Sequence, residues 1–163
     1  MNTEKWPKPW VIMMIGLPGS GKSTWCKTNL PKVPVLSTDD IIEKFAKEKG
    51  KTYSDVFDKV AGDAAKQFGH AMKKAIKDQA CVIIDQTNMT RKSRMKKMEP
   101  FKGFYKVAIM VTADPIELGL RLKNRAEQTG KFIPQKVIDQ MAASFQTINQ
   151  AEEGWNEVHY IHT

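Results

Sequence analysis

A lysine and a serine, adjacent at the end of a glycine-rich octet, have the types and spacing to handle the phosphates of a nucleotide. The octet is Gly16-Leu17-Pro18-Gly19-Ser20-Gly21-Lys22-Ser23, followed by Thr24, and it fits the pattern G-x-x-x-x-G-K-[ST]. The glycines let the backbone turn sharply and bring its N–H groups up to phosphate oxygens. A helix starting where the loop ends adds partial positive charge. Lys22 is then placed to reach the β- and γ-phosphates, and the Ser23 hydroxyl to hold Mg²⁺. ATP and Mg²⁺ are the expected cofactors.

Phosphoryl transfer further needs a base near the attacking oxygen and cations on the developing charge. Two polar clusters follow short apolar runs: Ser37-Thr38-Asp39-Asp40 and Asp85-Gln86-Thr87-Asn88. Asp39, with Asp40 beside it, is suited to take a proton from an acceptor hydroxyl. On spacing alone, the competing role of both carboxylates is to complement a helix N-terminus. Asp85 follows four apolar residues and resembles a Walker B carboxylate in the Mg²⁺ shell, the competing role being a turn former. Gln86, Thr87 and Asn88 either orient substrate or shape the turn. Arg121 and Arg125 share a helix face just before Gly130, where a mobile lid could deliver a guanidinium to the transferring phosphate; surface charge is the other reading. The basic run from Arg91 to Lys97 follows the third apolar strand directly, which puts it near the site as a phosphate-backbone contact.

These residues need a scaffold, and the pattern supplies one. Trp10-Val11-Ile12-Met13-Met14-Ile15 is a continuous apolar run, as expected for a strand buried on both faces. Further strands are expected at residues 33–37, 81–85 and 105–112, with a last one around 157–161. Apolar residues from Val56 to Ile76 recur at helical spacing and mark a long amphipathic helix over about 54–78. Helices are also expected after Ser37, over the basic run to near Gly103, from Pro115 to about Glu127, and from Pro134 onward. Strands alternating with helices imply an α/β fold of P-loop type, a parallel sheet with helices on both faces and a small lid. Ligands of such sheets bind outside the carboxyl ends of the strands, where the polar clusters converge.

Length and composition fit a single domain spanning residues 1–163, with 1–9 expected as a flexible N-terminal segment. The chain is 41% hydrophobic and 27% charged, and no apolar run approaches the roughly 20 residues of a membrane span. Cys26 and Cys81 lie far apart, and His70, His159 and His162 have no metal-ligand spacing with them, so no structural metal is expected. The start of the chain is polar rather than signal-like, and a cytoplasmic location is the expectation. A net charge of +8 favours a polyanionic partner, although a lysine-rich solvated surface accounts for it equally well.

Taken together, the motifs resemble the P-loop 5′-hydroxyl polynucleotide kinases. The resemblance rests on the run from Gly16 to Trp25, the Ser-Thr-Asp-Asp turn at 37–40, Ile-Ile-Asp-Gln-Thr-Asn at 83–88, and Arg121 and Arg125 followed by Ile133-Pro134. It covers residues 11–145. It implies that Lys22 and Ser23 bind donor and Mg²⁺, that Asp39 is the base activating a 5′-OH of RNA or DNA, and that Arg125 stabilises the transferring phosphate. Where the phage-type enzyme carries an arginine against the substrate's 3′ phosphate, this chain has Ile42. Arg91, Lys92 and Arg94 are the expected replacements. The Asp-Gln-Thr-Asn element also resembles the kinase-like domain of a heterogeneous nuclear ribonucleoprotein scaffold, which keeps open a nucleotide-dependent nucleic-acid-binding module. A small-molecule or aminoacyl-tRNA kinase on the same fold is a third expectation.

Overall fold

A computed structural model describes residues 1 and 3–163 of the chain. Five strands, β1 (Trp10–Ile15), β2 (Val35–Leu36), β3 (Val82–Asp85), β4 (Tyr105–Thr112) and β5 (Glu157–His162), form one sheet in the order β2-β3-β1-β4-β5. Every pairing is parallel. The helices are α1 (Lys22–Asn29), α2 (Thr38–Glu48), α3 (Tyr53–Lys77), α4 (Arg91–Met98), α5 (Pro115–Thr129), α6 (Gln135–Ala143) and α7 (Gln150–Glu153).

The apolar run of β1 is the centre of the sheet, and every one of its residues is buried. Because side chains alternate along a strand, β1 feeds two cores. Val11, Met13 and Ile15 pack with Phe68, Met72 and Phe101, whereas Ile12 and Met14 pack with Cys26, Leu30 and Val107. The helix starts follow their capping residues. Ser37 accepts from the Asp40 N–H, Thr52 and Asp55 form a reciprocal capping box, and Asp114 accepts from the Ile116 N–H ahead of a helix opened by Pro115.

Several boundaries differ from the sequence reading for local reasons. Strand β2 is only Val35–Leu36. Helix α4 stops at Met98, short of Gly103, because Pro100, just beyond Glu99, has no N–H to continue the helical hydrogen bonding. Helix α5 runs on to Thr129, where Gly130 in the left-handed conformation ends it. The segment expected to be flexible is anchored at Trp6. That ring is buried edge-on against Trp10, with centroids 5.7 Å apart, and its Nε1 donates to Glu157 Oε1 at 2.8 Å. Residue 2 of that segment lies outside the described residues. Among the described residues, no helix is long and apolar enough to cross a membrane.

Candidate active site

Parallel pairing of Met14 with Asp85 sets the end of β3 beside the start of the glycine loop. The loop's first residue, Gly16, donates its N–H to Thr87 O at 3.0 Å. Its φ is +146°, and a Cβ there would lie 2.3 Å from Val111 O, so only glycine fits between the two strands. Gly21 precedes α1 in the left-handed conformation and has no side chain to cap the helix. The first N–H groups of α1, from Lys22 onward, therefore point into the loop with no helical acceptor, which is the state an anion satisfies.

Lys22 is buried and donates to Gly16 O at 2.9 Å and Leu17 O at 2.8 Å. Burial lowers its pKa, opposed by the nearby Asp85 and Asp39 carboxylates. Ser23 Oγ donates to Asp85 Oδ2 at 2.6 Å, so the two oxygens proposed for Mg²⁺ are already adjacent. Hard oxygen donors beside a phosphate cradle suit that ion.

Asp39 sits in the first turn of α2 and is held by two residues that the sequence reading missed. Tyr53 OH donates to its Oδ1 at 2.8 Å, and Lys131 Nζ pairs with its Oδ2. Lys131 also lies over the Tyr53 ring, 4.1 Å from its centroid. Burial works against the ionised Asp39, but the Lys131 ammonium and the two hydrogen bonds outweigh it and hold the carboxyl below the usual range. Asp40 makes neither of these contacts, and its carboxyl is pushed up by burial and by the Asp85 and Glu43 charges. Arg125 NH2 donates to Glu43 Oε1 at 2.6 Å. Arg121 bonds Glu117 and, at 2.8 Å, Thr163 Oγ1, which itself donates to Ser20 O.

Two cavities meet here. The first, about 860 Å³, runs from the glycine loop past Ser23, Thr24 and Asp40 to Arg121 and Arg125. The second, about 790 Å³, lies toward Tyr53, Phe57, Lys97 and residues 131–134. Pro18, Asp39, Asp85, Gln86 and Thr87 line both. Both volumes suit a nucleotide-sized ligand.

Four of the expected substrate contacts, Arg94, Asn88, Arg91 and Lys92, lie away from both cavities. Arg94 is fully buried. Its guanidinium pairs with Glu153 (Nε–Oε2 2.6 Å, NH2–Oε1 2.7 Å) and donates to the Met89, Asn88, Gln146 and Thr147 carbonyls, which leaves nothing to offer a ligand. Asn88 is 2% exposed and spends its amide on Met14 O at 2.8 Å, tying the loop to β1 from a left-handed φ of 50°. Arg91 pairs with Glu152 of α7, and neither Arg91 nor the exposed Lys92 lines either cavity. The basic helix instead turns Lys97 to the site. Gln86 donates to Thr38 Oγ1 at 3.0 Å and stays on the shared wall. Ile42 is buried against Tyr53 and Val56 and does not face the site.

Helical periodicity carried a signal for Arg94, since it falls four residues before the buried Met98 on the same inward face. Lys131 directly follows the glycine that closes the lid helix, a visible cue. Nothing in the sequence links Tyr53 to Asp39.

A family model described as AAA domain matches residues 11–148. Heterogeneous nuclear ribonucleoprotein U-like protein 2 of Homo sapiens is 26% identical over 144 residues, 83% of this chain and 19% of that protein. L-seryl-tRNA(Sec) kinase of Methanococcus maripaludis is 29% identical over 141 residues, 84% of this chain and 52% of that one. This chain thus spans between a fifth and about half of these curated relatives. Among solved structures, a chain of the Pnkp1/Rnl/Hen1 RNA repair complex superposes with a TM-score of 0.65 at 23% identity, over 87% of this chain and 45% of that one. The α/β fold is that of the P-loop kinases.

Proposed function

The chain belongs to the AAA domain family, and from that premise and the site geometry we propose that it is a polynucleotide 5′-hydroxyl kinase. It transfers the γ-phosphate of ATP to 5′-OH ends of RNA or DNA. One observation carries the reading: Asp39 stands on the wall between two nucleotide-sized cavities, one over the phosphate loop and one free for an acceptor.

The acceptor hydroxyl, bound in the second cavity, donates its hydrogen bond to the Asp39 carboxylate. Its oxygen attacks the γ-phosphorus, the bond from that phosphorus to the β–γ bridging oxygen breaks, ADP leaves, and the hydroxyl proton passes to Asp39. Lys22 and the first N–H groups of α1 neutralise the donor's phosphates. Ser23 and Asp85 would hold Mg²⁺, which would supply charge neutralisation for the donor's phosphates. Arg125 turns from Glu43 to the charge that develops on the transferring group. Lys22, Asp39 and Arg125 each rest on a protein group that substrate replaces: loop carbonyls, Lys131 and Glu43, respectively.

Labelled ATP offered with 5′-OH oligonucleotides, nucleosides, sugars and charged tRNA tests the proposal. Label transferred to oligonucleotide ends is the expected result, and label on another acceptor with none on oligonucleotides overturns it. The likeness to L-seryl-tRNA(Sec) kinase favours one rival, an aminoacyl-tRNA kinase, which the same panel separates. Oligonucleotide binding without any labelled product favours a binding module instead.

A further inference from the structure

The acceptor-side cavity contains two lysines, and they differ in one respect. Lys131 is paired with Asp39. Lys97 Nζ donates to Asn88 Oδ1 at 2.6 Å and Ser93 Oγ at 3.2 Å, both neutral, and no ion pair to a carboxylate is made among the described residues. Burial alone lowers its pKa, to about 8. A dehydrated ammonium with only neutral partners is costly to the free protein and favourable once an anion arrives.

The same cavity carries exposed aromatic surface. Phe57 is 42% and Phe132 69% exposed, and both line it together with Ile133, Pro134, Val137 and Met141. A folded domain gains nothing by leaving two phenyl rings open beside a polar wall unless a flat apolar body covers them. Nucleobases have such a body and stack on aromatic faces without sequence preference. The cavity therefore offers a carboxylate for a hydroxyl, a cation for an anion, and an apolar wall for a ring.

We infer that Lys97 is a specificity-determining residue that grips the phosphate on the 3′ side of the acceptor nucleoside while Phe57 and Phe132 hold its base. This rests on the polynucleotide reading. A nucleoside presenting its 5′-OH to Asp39 has its remaining phosphate only at the 3′ position, so the charge reaches Lys97 from that side. Lys97 thereby separates nucleic-acid ends from neutral alcohols, which satisfy Asp39 but leave the ammonium unpaired.

The test compares wild type with Lys97→Met and Lys97→Arg, using uridine and thymidine 3′-monophosphates against uridine and thymidine. Calorimetric binding is measured with ADP saturating the first cavity, and KM and kcat by labelled transfer. Lys97→Met should raise KM and Kd for the 3′-monophosphates about ten- to hundredfold, the range expected for a lost charged hydrogen bond. It should leave the nucleosides, kcat and ADP affinity unchanged, and Lys97→Arg should restore the difference. Equal losses on nucleosides and nucleotides, or a fall in kcat, would mean that Lys97 acts only by bracing Asn88, and would overturn the inference. So would an unchanged nucleotide-to-nucleoside ratio. Wild type that neither binds nor phosphorylates any of the four compounds overturns the kinase reading beneath it, a distinguishable result.

Discussion

Asp39→Asn isolates the charge of one carboxylate while keeping its shape. The amide oxygen still accepts the Tyr53 hydroxyl, now 2.8 Å from Oδ1, and what disappears is the attraction to Lys131 and the capacity to take a proton. The Asp39 side chain is 47% exposed, so solvent screening limits the stability loss to about 1 kcal/mol or less. The loss of rate should be far larger. A positioned general base contributes about 10²–10⁴-fold, or roughly 3–5 kcal/mol of barrier. Single-turnover transfer from labelled ATP to a 5′-OH oligonucleotide, beside a titration of ADP affinity, reads both numbers. Transfer should fall by that factor with ADP affinity intact. Undiminished transfer would refute the base assignment, and an equal loss of ADP affinity would move Asp39 into the donor site. The pH dependence supplies a second check. Because Asp39 is held below the ordinary carboxylate pKa of about 3.9, it stays ionised throughout the neutral range, and the acid limb of the rate profile should fall beneath that value. Its contribution to folding is present above the unfolded pKa and is lost as pH drops through the lower folded one.

Lys22→Ala removes the ammonium from the glycine loop and should abolish transfer, and measurable turnover at saturating ATP would sink its role. Gly16→Ala brings a methyl group to 2.3 Å from Val111 O and should weaken nucleotide binding and lower the melting temperature, both read by calorimetry. Arg94→Met leaves the buried Glu153 carboxylate without its partner, a loss of about 3–5 kcal/mol that lowers Tm by on the order of 10 °C with kcat and KM of the folded protein unchanged. A raised KM at constant Tm would restore Arg94 as a substrate contact. For Lys97, deprotonation near pH 8 should raise KM for a 3′-phosphorylated acceptor as pH climbs through that value. Its immediate partners Asn88 and Ser93 do not titrate there; of the other charged groups on the cavity wall, Asp39, Asp58, Asp85 and Lys131, Asp39 is held below the usual carboxylate range and Lys131 is paired with it. The unfolded chain binds this proton up to the ordinary lysine pKa, so Lys97's contribution to stability rises with pH between the two values.

What the sequence revealed about the site follows from distance along the chain. The phosphate loop is contiguous: an apolar strand, an octet and a helix start within Trp10–Asn29, whose local geometry needs no distant partner. Asp85 was readable for a similar reason, since four apolar residues end on a carboxylate and parallel pairing with β1 brings it to Ser23. The residues that complete the site come from separate elements. Tyr53 meets Asp39 from a separate helix, and Lys131 meets it 92 residues on, contacts for which no periodicity exists.

The basic run on α4 shows how a charge cluster misleads when it is treated as a patch. A helix divides such a run by angle: Arg94 turns inward with Met98 and is consumed by Glu153, whose place in the short α7 the sequence reading did not foresee. Three residues further on, Lys97 turns to the acceptor cavity. An arginine can be buried when one carboxylate and four carbonyls satisfy its fork. Lys97, with neutral partners only, keeps its charge for something the protein does not contain. On that reasoning the charge of this chain matters for acceptor binding through the single ammonium of Lys97, and the salt dependence of that binding should be correspondingly shallow: a slope near one phosphate contact, with a steep slope counting against it.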